Sequence, residues 1–201
     1  MLAITEDTIE TLRKDALSAY EAFSNAWEEH QQAEASLEEA KKLRSRLTAA
    51  HDARHQLLTK LRCKAMELAI KGSADFKNAS KSVTETAGEF ILLDAGLKFF
   101  HSYAFQEILC ASLESKIRML DAQLLSEQIR LDQKIGEIEM SFSSLSYSGA
   151  QIELAPVIRP HQELIAQLQR QGDAARGELK TAEIDGRELK ATYQKETATW
   201  L

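Results

Sequence analysis

LRKDALSAYEAFSNAWEEHQQAEASLEEA, residues 12–40, places small or apolar side chains at alternating steps of four and three: Leu12, Ala16, Ala19, Phe23, Ala26, His30, Ala33, Leu37 and Ala40. Such steps hold one stripe on one side of an α-helix. The rhythm resumes at Leu47 and continues through Leu58, Leu61, Ala65 and Leu68, a seam of about eight heptads that marks a coiled coil. Alanine recurs in it, so a partner helix can approach closely. Arg44, His51 and Arg54 interrupt its second half, where packing should loosen. Asp7 and Glu10 have the spacing of a capping box. The first predicted helix therefore covers about 8–70, on the order of 95 Å at 1.5 Å per residue.

Two breaks follow. KGSADFKNASKSVTETAGE, residues 71–89, holds Gly72, Asn78 and a Ser/Thr cluster, which predicts a loop over 71–85. Ser82 with Glu85, or Thr86 with Glu89, offers the next capping box. Helix 2 then covers about 86–140, with a seam from Leu109 through Leu113, Ile117, Leu120, Leu124, Gln128, Leu131, Ile135 and Ile138 to Phe142. Residues 141–160 are Ser-rich and hold Gly149, Pro156 and Pro160, which predicts a second loop. Helix 3 covers about 161–200, with Gly172 and Gly186 in its seam. Those glycines make sense where bulky neighbours from other helices take the space.

The whole is expected to be all-α, one domain over 1–201: an elongated antiparallel coiled-coil bundle of three long helices. A short fourth helix near 86–100, made by a fold-back at Gly88 or Gly96, is the alternative. With only two prolines and eight glycines in 201 residues, little else interrupts helix.

GEFILLDAGLKFFHSYAF, residues 88–105, stands apart from this polar background and holds five of the chain's 13 aromatics. Phe90, Leu93, Leu97, Phe100, Ala104 and Ile108 form one stripe, whereas Ile91, Leu92, Phe99 and Phe105 lie off it. A turn centred near residue 79 would set residue 20 opposite about 138 and residue 68 opposite about 90. Helix 3 would then cover helix 2 only from about 140 back to 100. One partner helix covers one stripe, not two faces. Something else must cover the remainder: a second copy, another protein, a membrane, or the chain itself. Trp200 and Leu201 are expected near Phe99–Tyr103.

Charge is segregated. Residues 1–40 carry ten acids and two bases, residues 41–81 eleven bases and three acids, and the remainder eighteen acids and twelve bases. The basic block, KKLRSRLTAAHDARHQLLTKLRCK (residues 41–64), has no interleaved aromatics and no nucleic-acid-binding motif, so nucleic acid is not favoured as a partner. Lys60, Arg62, Lys64, Lys71, Lys77 and Lys81 would instead ring the apolar end beside Phe76 and Phe90–Phe105, as an anionic membrane surface would require.

Catalytic chemistry is not indicated. There is no G-x-S-x-G, no P-loop and no G-x-G-x-x-G. His51 and His55, in H-D-A-R-H, have the spacing of two metal ligands but no third-ligand motif, so no metal and no cofactor are expected. His30 reads as a polar residue that fixes register inside the seam. Cys63 and Cys110 are the only cysteines, which favours a reducing compartment. MLAITEDTIETL lacks the features of a signal peptide, and no apolar run reaches the ~18–20 residues of a membrane span. A cytoplasmic location is expected, with signal-independent export left open. The functional expectation is a non-enzymatic structural or adaptor protein. It would self-associate, or dock on a larger protein assembly, through Phe90, Leu93, Leu97, Phe99, Phe100, Tyr103 and Phe105. A membrane-acting helical protein, pore-forming or peripheral, is the alternative, and a nucleic-acid-associated helical protein ranks below both.

Overall fold

The long seam folds as a single helix. In the computed structural model, which describes residues 6–142 and 147–198, α1 is Glu6–Ile70, 65 residues. Every member of its predicted seam, Leu12 to Leu68, is buried or half-buried. α2 is Phe76–Phe99, a π-helical segment follows at Phe100–Ala104, α3 is Phe105–Phe142 and α4 is Tyr147–Ala198. α2, the π segment and α3 form one unbroken run, so three long helices build an all-α bundle, with no strand among the described residues.

The first connection is a turn at 71–75, not a loop over 71–85. Gly72 has φ +62°, a left-handed conformation that glycine adopts without steric cost. Its N–H donates to the Ala69 carbonyl (3.1 Å) and the Ser73 N–H to that of Leu68 (3.0 Å), which satisfies the last carbonyls of α1 in a Schellman motif. α2 then starts at Phe76 rather than at the predicted 86. The Ser/Thr cluster does not prevent helix. Ala79, Val83, Thr86 and Phe90 form an inward stripe, and the Thr84 hydroxyl donates to the Ser80 carbonyl at 3.1 Å.

The early turn shifts the antiparallel pairing. Phe90 lies on His51 and His55 (ring centroids 4.6 and 5.5 Å), not opposite Leu68. Tyr20 lies under the Arg130 guanidinium at 5.4 Å, not opposite residue 138.

The second connection is also shorter than the predicted 141–160, since α4 begins at Tyr147 and holds Pro156 and Pro160 inside it. Both prolines are exposed, so the carbonyl that Pro160 leaves unbonded, that of Pro156, can take water instead. Residues 143–146, Trp200 and Leu201 lie outside the described residues.

Contacts group the chain into two units. The first is Met1–Glu34 with Cys110–Ala182. Its core is Met119 and Leu120 of α3 with Leu168 and Ala175 of α4, and Phe23 and Ala26 of α1 close against them. Arg13–Glu137 (3.6 Å) and Glu29–Arg118 (3.9 Å) show α1 and α3 antiparallel, and Asp121–Arg176 (2.5 Å) with Glu127–His161 (3.3 Å) show the same for α3 and α4. Gly172 is buried, yet a Cβ there would meet only Arg176 of its own helix (3.2 Å), so no bulky neighbour from another helix claims the space.

The second unit is Ala35–Leu109 with Glu183–Leu201. Here α1 and α2 pair through Arg54–Glu89 (2.5 Å) and His51–Asp94 (3.5 Å), and α1 meets the π segment through Arg44–His101 (3.1 Å). Leu58, Ala65 and Thr86 are buried between the helices. α4 meets the run near the π segment, where Tyr193 lies edge-on to Tyr103 (6.4 Å) and a Cβ on Gly186 would make ordinary contact with Gln106 (3.7 Å).

Candidate interaction surface

The apolar cluster divides by helical position. Phe90, Leu93, Leu97 and Phe100 line the inner side of the α2 run and are half-buried. Gly88, Leu92, Ala95 and Phe99, at steps of four, three and four, line the outer side and are all exposed. Ile91 flanks that outer stripe. Ile91, Leu92 and Phe99 retain 65%, 76% and 56% exposure, high values for large apolar side chains. α2 therefore carries two apolar faces, and α1 buries one of them.

The π segment re-phases the inner face. Leu97 and Phe100 end the inner stripe of α2, and the seam of α3 resumes at Leu109. Alternating fours and threes from Phe100 arrive at 104, 107 and 111 and miss Leu109. A single step of five, Phe100 to Phe105, restores the phase, and the Phe105 N–H donates to the Phe100 carbonyl. That mismatch between two seams is the sequence signal for the π segment. Arg44 spans the step: it stacks on the Phe105 ring (4.6 Å) and lies 3.1 Å from His101 Nδ1. Burial, and then the Arg44 charge, hold the His101 pKa below the ordinary imidazole value. The Ser102 hydroxyl donates to the Lys98 carbonyl, and Tyr103 lies under Lys190 at 5.8 Å.

The predicted basic residues occupy the α1–α2 hairpin and are all exposed. Lys64 pairs with Glu67 (3.6 Å) and Lys81 with Glu85 (3.8 Å). Lys60, Arg62, Lys71 and Lys77 make no ion pair among the described residues. Met66, Ile70 and Phe76, 65%, 84% and 41% exposed, lie at the same turn. Phe76 is expected there from sequence, whereas Met66 and Ile70 are not, because neither belongs to a seam. Their signal is an apolar residue on the polar side of α1.

Other constellations resolve into structure. His51 and His55 face the Phe90 ring, and no group of three His, Cys, Asp or Glu side chains converges on a point among the described residues. His30 is buried, with Nδ1 3.3 Å from the Ser115 hydroxyl and Nε2 3.7 Å from Glu34. The Ser115 hydroxyl already donates to the Ser112 carbonyl (2.8 Å), so His30 is the donor to Ser115, not a base that activates it. Cys63 is exposed and Cys110 half-buried. Compared with known proteins, the chain matches no family model, no curated protein and no solved structure.

Proposed function

We propose that this chain is a non-enzymatic structural protein that works by association, first with further copies of itself, through the outer face of α2. The observation that carries this reading is the second apolar stripe, Leu92, Ala95 and Phe99 with Ile91 beside it, exposed on a helix whose other face is already occupied. Apolar surface of this kind lowers its free energy by burial, and contiguous patches mark contact sites. Light scattering on a sizing column over a concentration series tests it. Mass should rise toward a dimer or higher oligomer, and Phe99→Asp should return it to monomer. A wild-type monomer at every concentration overturns self-association.

A second reading rests on a separate place. The hairpin turn joins exposed Met66, Ile70 and Phe76 to Lys60, Arg62, Lys71 and Lys77, the combination that binds an anionic lipid surface. Among the described residues no helix is long and apolar enough to cross a membrane, so contact would be peripheral or follow a rearrangement. Flotation with anionic and zwitterionic vesicles tests it. Binding to anionic vesicles alone, lost in Ile70→Asp, supports the reading, and no binding at moderate salt removes it.

A further inference from the structure

The outer stripe of α2 has an order of sizes that specifies its partner. Gly88, Leu92, Ala95 and Phe99 run small, large, small, large. Read from the other end, the series is large, small, large, small. We infer that the partner is a second copy of this chain, whose α2 lies antiparallel on the first with the two-fold axis between Leu93 and Asp94. This rests on the self-association proposed above.

That register makes two kinds of layer, each occurring twice. Phe99 of one copy meets Gly88 of the other, and Leu92 meets Ala95. Every large side chain then faces a small one, as close interdigitation of two helices requires. A parallel pair would set Phe99 against Phe99 and leave a gap between two glycines. The space at Gly88 is available, since a Cβ there would meet nothing within 4 Å. Glycine inside a helix is disfavoured relative to alanine, and no described neighbour requires it at 88. A phenylalanine ring from a second copy would.

Charge is compatible with this arrangement. Antiparallel helices bring the same flank of each copy together, so Glu89 and Lys98 do not meet across the dyad. Lys98 stands about 13 Å along the axis from its symmetry mate, and Glu89 likewise, so like charges are not opposed. Both are neutralised within the chain, Lys98 by Asp94 (3.4 Å) and Glu89 by Arg54 (2.5 Å). Ile91, on one flank, lies beside the Lys98 stem of the other copy. The contact spans about three helical turns, so the dimer should be weak, with a Kd on the order of micromolar or above.

Cross-linking between two variants tests the register. In a background with Cys63→Ser and Cys110→Ser, Gly88→Cys and Phe99→Cys chains are mixed and treated with a short bis-maleimide. Cross-links should form in the mixture and in neither variant alone. Cross-linking of each variant with itself would show parallel pairing and overturn the proposal. Because both changes touch the contact, Leu92→Ala and Gly88→Trp are measured beside them by sedimentation, with helix content from circular dichroism. Each should weaken the dimer about tenfold or more with helix content kept. A dimer that survives Gly88→Trp and gives no mixed cross-link overturns this register but leaves self-association standing. A wild-type chain that stays monomeric overturns both.

Discussion

The first unit encloses a core among three helices, with Leu17, Tyr20, Trp27 and Leu125 exposed around it, whereas the α1–α2 part of the second leaves a whole apolar stripe of α2 open. Around Ala175, 1% exposed, three helices meet, and even polar side chains are enclosed: Ser115 and Ser126 are 3% exposed. Along α2 between Thr86 and Phe99, the cross-helix partners are residues of α1, such as Arg54, His51 and His55. The two regions use similar residues. What differs is how many neighbours each helix has, and an α-helix with one neighbour can hide one stripe. Apolar content becomes a core only where other helices cover it.

Substitutions on either side of that contrast should behave differently. Leu168→Ala, in the enclosed region, should cost about 2–4 kcal/mol in chemical denaturation. His30→Ala should cost about 1–2 kcal/mol, since it removes a buried hydrogen bond to Ser115. Gly88→Ala, in the open region, should stabilise the monomer by about 0.5–1 kcal/mol, read as a higher Tm at low protein concentration. Leu92→Ser, under the same conditions, should change monomer stability by no more than about 0.5 kcal/mol. A loss at Leu92 as large as that at Leu168 would mean the outer face is covered and the contrast is false.

The smallest expected effect is on pH dependence. His101 has a folded pKa below its unfolded one, so the unfolded chain binds the extra proton first on acidification. Stability should fall as pH drops through the ordinary imidazole range toward the folded pKa, and level off below it. His101→Gln should flatten that part of the profile relative to wild type.

Much of the fold is legible in the sequence because burial on a long helix imposes a period. The α1 seam from Leu12 to Leu68 points inward throughout, and His30 sits inside it as a polar member. Positions of breaks are less legible. Ser80, Ser82 and Thr84 look like a loop by composition, yet a hydroxyl bonded to the preceding turn, as that of Thr84 is to the Ser80 carbonyl, remains compatible with helix. Pro156 and Pro160 look like a stop, yet both lie on an exposed side. The turn at 71–75 moves every cross-helix pair, so residues expected at the interacting face keep their apolar character while their neighbours change. Phe90 belongs to the α1 contact, and Leu92 and Ile91 to the open face. The expected contact set holds the inner stripe and Phe99 but lacks Leu92. One period identifies one stripe, and what the opposite stripe meets depends on how many helices surround it.

The five-residue turn also bears on how the chain finds its fold. Closing a loop costs entropy that grows with its length. The Arg44–His101 contact closes 57 residues and His30–Ser115 closes 85. Contacts beside the turn close the shortest loops of all, and once formed they bring the next pair along the helices within reach. Folding should therefore proceed like a zip fastener, from Gly72 outward. In native-state hydrogen exchange or φ-value experiments, the α1–α2 hairpin would be the early structure even though its outer face is the least covered.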